Sequence, residues 1–250
     1  GEKQEKDISE PEGFEKFFAG IFKSIGASPE DMGMKRFDRT KFPELYPATL
    51  DEFADLLESD DDWEKQAIRP MLHSTSLQER PLQLVYDGDY NGWDPASFHA
   101  AVDKRGPGLV IAKTVGGAVM GGYNPKGWVG LSEYRGSVAA FLFTWPDGDL
   151  TKRPIKLRKT GGSSLACVDY PETGPMFGMD GLSISLAGGG QGARCKLGPY
   201  YERRPDGSNS LFADDERITG TQLESLRVYV GVYPDGEEIP YDDALPFQLE

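Results

Sequence analysis

Several stretches of this sequence place chemistry-bearing residues at familiar spacings. The hexapeptide Asp87-Gly88-Asp89-Tyr90-Asn91-Gly92 alternates side-chain oxygens like the first half of a helix–loop–helix calcium loop, with glycine at the sharp turn. The twelfth position of such a loop supplies a bidentate carboxylate. Here it is Phe98, so the oxygens read instead as an Asx-rich turn capping the next helix. Gly122-Tyr123-Asn124-Pro125-Lys126-Gly127 has the glycine spacing of a phosphate loop, but Trp128 stands where a lysine would reach the phosphate. Gly188-Gly189-Gly190-Gln191-Gly192 follows a strand without opening a helix and reads as a loop. Neither a cofactor nor a metal ligand set is expected from these stretches.

Acid–base and nucleophilic chemistry is limited by two histidines. His73 has no acid or nucleophile at a useful spacing, and His99 is expected on a helix beside Phe98, half-exposed. A Ser/His/Asp site through Ser163 or Ser164 would lack a nucleophile elbow. Of the two cysteines, Cys167 lies within an alternating strand. Cys195 is flanked by Arg194 and Lys196, whose charges would favour the thiolate, and it is the candidate redox thiol. No catalytic residue is assigned, and the chain is read as non-enzymatic.

The elements that must position these residues are mostly short strands. Leu82, Leu84 and Tyr86 alternate inward over Pro81–Tyr86. Asp94-Pro95 starts a helix whose buried face is Phe98, Ala101 and Val102. Leu109–Thr114 and Ala118–Tyr123 are strands joined at Gly116-Gly117, a pair suited to a two-residue hairpin turn. Gly121-Gly122 marks a close backbone approach. Val138–Trp145 is nearly all apolar, as in a strand covered on both faces. Further strands are expected at Ile155–Leu157, Leu165–Asp169, Leu182–Leu186, Arg194–Gly198 and Leu226–Tyr233. This pattern predicts a mainly β domain with flanking helices, a two-sheet β-sandwich over residues 74–233.

Residues 1–73 read as an extension with short amphipathic helices. Phe14, Phe17, Phe18, Ile21, Phe22 and Ile25 share one helical face. A helix this short must dock on something: on the body of this chain, in a groove of another protein, or against a membrane surface as a peripheral contact. Ser28-Pro29-Glu30-Asp31 starts a second helix. Thr49 with Glu52 forms a capping box for a helix over Leu50–Glu58. Asp60–Asp62 is read as the solvated start of a helix over Trp63–Leu72, perturbed at Pro70. Residues 234–250 form an acidic tail that lies over the surface or reaches a neighbour.

Composition narrows the partners. The chain has 250 residues, 31 glycines, 18 prolines and a formal net charge of −14. That field repels phosphate backbones, so nucleic acid is not expected, and it favours a basic protein surface. No run of eighteen apolar residues occurs, so no membrane span is expected. Two cysteines are too few for a disulfide framework and fit a reducing compartment.

The ordered set Leu84–Gly88, Ser97–Asp103, Gly121-Gly122-Tyr123, Phe141-Leu142-Phe143, Phe177-Gly178 and Leu226–Val230 resembles a TLDc domain over about residues 74–232. The segments Tyr123–Trp128, Thr144–Gly148 and Lys152–Leu157 look most like the TLDc proteins of plants and algae. Arg227 stands where many relatives carry a glutamate. The resemblance implies a β-sandwich flanked by helices, an association with resistance to oxidative stress and, as in several members, binding to the vacuolar-type proton ATPase. No agreed catalytic mechanism comes with it. The expected function is a non-enzymatic protein-interaction module, an accessory or stabilising subunit of a larger assembly alongside other protein subunits. The plant-like segments, with Gly1 rather than Met at the start, leave two expected compartments, the chloroplast and the cytoplasm. The alternatives are a stress-protective protein using the Cys195 thiol and a proton-ATPase regulator.

Overall fold

A computed structural model describes residues 39–40, 42–55, 61–161, 165–214 and 220–240. The Phe14–Ile25 stripe, the Ser28 helix start, Ser163, Ser164 and residues 241–250 lie outside the described residues.

The strands are β1 Leu82–Asp87, β2 Gly108–Thr114, β3 Val119–Asn124, β4 Glu133–Arg135, β5 Phe141–Trp145, β6 Ile155–Arg158, β7 Cys167–Asp169, β8 Met176–Phe177, β9 Leu182–Ser185, β10 Gly192–Cys195 and β11 Thr221–Gly231. The helices are α1 Trp63–Ile68, α2 Gly88–Asn91 and α3 Pro95–Val102, with 3-10 turns at Pro43–Leu45, Arg69–Leu72 and Ala187–Gly189. The fold is mainly antiparallel β with few helices, and its sheet is open. Two separate sheets were expected. The strands instead follow one path, β4-β7-β8-β9-β10-β11-β2-β3-β5-β6, with β1 also paired to β11. The reason is the length of β11. Thr221 and Gln222 pair with β10, Leu223–Val230 with β2 and Arg227–Gly231 with β1. One strand thereby carries both halves of the path.

Apolar alternation along these strands divides the core in two. The larger cluster joins Val110, Met120 and Leu142 to Cys167, Phe177, Leu182 and Ile184, residues from both halves of the path. Gly122 makes room for this contact, since a Cβ there would lie 2.7 Å from the Phe177 ring. The second cluster sits on the opposite side of β2, β3 and β5, where Ile68, Met71, Leu72 and Leu77 cover Leu109, Ile111, Phe141, Phe143 and Trp145. β5 is therefore buried on both faces, as its apolar run implies.

β1 departs from simple alternation. Its register against β11 shifts between Leu84 and Tyr86, and a one-residue slip turns the following side chains to the other face. Leu82 therefore joins the second cluster and Tyr86 the first; Leu84, which precedes the shift, is 41% exposed. The β2–β3 connection also differs from the two-residue turn. Gly117 has φ +92 while Gly116 is not in the left-handed region, and Thr114 N donates to the Ala118 carbonyl at 2.9 Å. That spacing leaves three residues in the loop, the form in which one glycine at positive φ suffices. Strands β4 and β8 were not expected, and both are only two or three residues long.

The segment before β1 is built by caps and ion pairs. Asp62 accepts from Glu64 N at 3.1 Å and Lys65 N at 3.0 Å, starting α1. The acid run is only partly solvated, because Asp61 pairs with Arg69 and keeps 10% side-chain exposure. The capping-box helix does not form over residues 50–55. Ala54 N donates instead to the Pro70 carbonyl at 2.9 Å, and Phe53 packs on the second cluster. The first residues of the tail lie over the surface, held by Arg80 and Glu237 at 2.6 Å.

Arg227 locks three of these segments together. Its Nη1 donates to Glu64 of α1 at 2.8 Å, and its Nε donates to Asp87 at the end of β1 at 2.9 Å. The second Glu64 oxygen accepts from the Tyr229 hydroxyl. Reversing the charge with Arg227→Glu leaves Glu64 buried beside a like charge. Because Arg227 is itself 31% exposed, we expect a loss of about 2 kcal/mol rather than the larger values of fully buried pairs. Urea unfolding monitored by tryptophan fluorescence reads this directly, and Arg227→Lys should fall between wild type and Arg227→Glu.

Candidate functional site

The calcium-like hexapeptide commits its oxygens to protein donors. Asp87 Oδ1 caps α2 through Asp89 N at 3.0 Å, Asn91 Oδ1 accepts from Asp87 N at 2.8 Å, and Asp89 Oδ1 accepts from the Trp93 indole at 3.1 Å. It is the Asx turn that its composition suggests. Phe98 and Trp128, the residues that spoil the calcium and phosphate motifs, are core residues whose rings meet edge-to-face at 5.8 Å.

Cys195 is also not where its neighbours suggested. It is 4% exposed on β10, and burial pushes its thiol up to about 12. Residues at i±1 in a strand face away from residue i. Arg194 and Lys196 are accordingly exposed on the other side, and Lys196 lies near Asp180 at 3.8 Å. Cys167 is likewise buried, and burial raises its pKa further. His73 has both Ser74 Oγ, at 3.1 Å, and Glu52, at 3.7 Å, on the same ring nitrogen. With one nitrogen facing both groups, it cannot relay a proton between them.

The structure builds a different cluster from α3, the turn after Trp128 and the end of β7. Asp94 and Pro95 start α3, and Phe98 and Val102 seat it in the core. The next residue, His99, is 8% exposed rather than half-exposed. One helical turn on, Asp103 Oδ1 lies 2.8 Å from His99 Nδ1. On the other side of the ring, Nε2 lies 2.9 Å from the Tyr170 carbonyl. Asp169, whose side chain is fully buried, places Oδ1 4.0 Å from the same Nδ1. Its Oδ2 accepts from Val129 N at 2.7 Å and Gly130 N at 3.0 Å. Burial opposes a charged imidazole, but the bonded Asp103 carboxylate and nearby Asp169 hold His99 above its ordinary pKa. Burial pushes Asp169 up, against the two backbone donors. Among the described residues, this is the cluster whose donor atoms all lie within 4.8 Å of one another. The i,i+4 spacing of His99 and Asp103 was visible in the sequence. Asp169 is far away in the chain and arrives on β7, paired with β4 and bonded to the turn after Trp128.

A second feature lies beside β1. An open groove of about 440 Å³ is lined by Gln83, Leu84 and Val85 on one side, Ser97, Ala100 and Ala101 of α3 on the other, with Asn91 and Arg105. Among the described residues β1 has β11 as its strand partner, and Tyr90, the chain neighbour of the lining residue Asn91, is 90% exposed. No helix among the described residues is long and apolar enough to cross a membrane.

Lys156 is an ionisable group that sequence patterning did not flag. It is 4% exposed, donates to the Met71 carbonyl at 2.9 Å and sits over the Phe141 ring at 4.6 Å. Burial lowers its pKa from 10.5 to about 7, with the Glu52 charge working against this and Arg39 with it.

Comparison with known sequences supports the architecture. The family-wide profile of the TLDc domain matches residues 60–224. No curated protein sequence matches the chain.

Two expectations follow. A thiol reagent that reacts with thiolates should label neither Cys167 nor Cys195 in the folded protein at pH 8 and both in urea, and Cys195→Ser should leave peroxide consumption unchanged. For Lys156, the unfolded chain binds more protons than the folded one between about 7 and 10.5, so this group makes stability rise with pH across that window. The Lys156→Met variant should be more stable than wild type at pH 6, by on the order of 3 kcal/mol. That is less than the full shift implies, because the variant also gives up the bond to Met71. The advantage should shrink by pH 10, as read by paired thermal melts.

Proposed function

The chain belongs to the TLDc domain family, and from that premise we propose that it is a non-enzymatic interaction module, an accessory subunit held on a larger protein assembly. TLDc domains are generally protein-interaction modules. The observation that carries the reading is the groove between β1 and α3, beside a strand with one strand partner among the described residues. Such an edge offers unpaired backbone groups to an extended segment of another protein, and an adjacent groove offers pockets for its side chains. Leu84 and Tyr90 add exposed apolar surface there. The net charge of −14 favours basic surfaces around that contact.

In this reading the two halves of the strand path serve as the layers of the expected sandwich, and the plant and algal likeness and an oxidative-stress setting remain part of the proposal. The burial of both thiols weighs against the redox alternative.

The test is a photo-crosslinking residue at Ala100, an exposed position in the groove, in the full chain expressed in its native host. Crosslinking to one partner protein, reduced by Leu84→Asp, is expected. Co-sedimentation with an assembly while Ala100 crosslinks to nothing would move the contact elsewhere, and sedimentation as a free monomer would overturn the accessory-subunit reading.

A further inference from the structure

We propose that His99, Asp103 and Asp169 form a binding site for a divalent transition-metal cation of the zinc, cobalt or manganese kind. The inference goes beyond the interaction module and does not depend on it.

A carbonyl oxygen only accepts, so the 2.9 Å contact to Tyr170 puts a proton on His99 Nε2. Nδ1 is then aimed at two carboxylate oxygens, Asp103 Oδ1 at 2.8 Å and Asp169 Oδ1 at 4.0 Å. Two acceptors converging on one ring nitrogen require a cation between them, either a proton, carried by the ring or by a carboxylate, or a metal ion in its place. Three features of the site favour a metal. Asp169 Oδ1 is buried and has no hydrogen-bond partner, an unusual and costly state for a carboxylate oxygen that a bound ion would relieve. The supporting bonds resemble those that orient metal ligands. The far ring nitrogen is fixed by a backbone carbonyl, and the far Asp169 oxygen by two backbone N–H groups. The space is also kept open by a glycine. Gly130 has φ +66, and a Cβ on it would fall 2.5 Å from Asp103 Oδ2 and 3.5 Å from His99 Nδ1.

The donor set selects the class of ion. One imidazole and two carboxylates, with remaining positions for water, suit zinc, manganese and cobalt. Calcium asks for six to eight oxygens, which these residues do not offer. Ligand atoms around such an ion sit roughly 3–3.5 Å apart at bonds of about 2.0–2.2 Å. The three atoms here are within 4.8 Å of one another. Asp103, at 24% side-chain exposure, is the ligand able to close that difference and the side from which an ion enters.

The whole chain contains two histidines, so long-range ¹H–¹⁵N spectra of the uniformly labelled full-length protein resolve two imidazoles. Adding zinc chloride should move Nδ1 of His99 to a metal-bound position, saturating near one equivalent, with Nε2 still protonated and His73 unchanged. Asp103→Asn keeps a polar side chain at the end of α3 and should weaken zinc binding about tenfold or more. Gly130→Ala should weaken it as well. If the His99 resonances of wild type do not move in an excess of zinc, the cation is a proton only and the proposal fails. Equal zinc affinity in Asp103→Asn would overturn it too.

Discussion

The backbone hydrogen bonds of β11 are the constraint on which the rest depends. An eleven-residue strand offers more donors and acceptors than one neighbour can satisfy, and here they are divided among β10, β2 and β1. Buried backbone groups must be paired, so the positions of those three strands are set by where β11 runs. β2 then carries β3, β5 and β6, and β10 carries β9, β8, β7 and β4. Residues from both branches end in one apolar cluster. The side chains of β11 add a second connection, because Arg227 and Tyr229 reach out to Glu64 of α1. The helix before the sheet is thus tied to its last strand.

The register shift in β1 shows how a local irregularity positions a distant site. Without it, Tyr86 would share a face with Leu82. With it, Tyr86 turns into the larger cluster and meets Phe98 edge-to-face at 5.3 Å. Phe98 in turn meets Trp128, and these three rings fix the rotation of α3. His99 follows Phe98 directly, so its ring is carried toward Tyr170, and Asp103 lands one turn below. Gly130, two residues after Trp128, donates to Asp169. Leu84, the last residue before the slip, is exposed on the edge that forms the groove.

What the sequence disclosed follows the range of each signal. Apolar runs and apolar alternation located β2, β3, β5, β6, β7, β9 and most of β11, because both are local properties of the chain. The Asx turn at Asp87 and the Asp94-Pro95 start of α3 were legible for the same reason. Three things were not. The bulge in β1 leaves its alternation intact on paper while reversing it in space. The neighbours of Cys195 were read as a linear charge environment, but a strand places them on the opposite face. Asp169 could not be linked to His99 by spacing, since β7 was legible as a strand but its partner β4 is too short to be marked by composition.

Charge balance separates the His99 cluster from the other buried acids of this acidic chain. Glu64 is answered by Arg227, Asp61 by Arg69 and Glu133 by Arg135, so each carboxylate there meets a guanidinium that is always charged. Asp103 and Asp169 share only the imidazole of His99. Two carboxylates with one titratable ring between them hold an excess of negative charge where Asp103 is the most exposed of the three side chains. Burial makes that excess costly unless a cation neutralises it. An arginine would have filled this space as it does elsewhere in the protein. A glycine at position 130 leaves it open instead, which is what a site for a small cation requires.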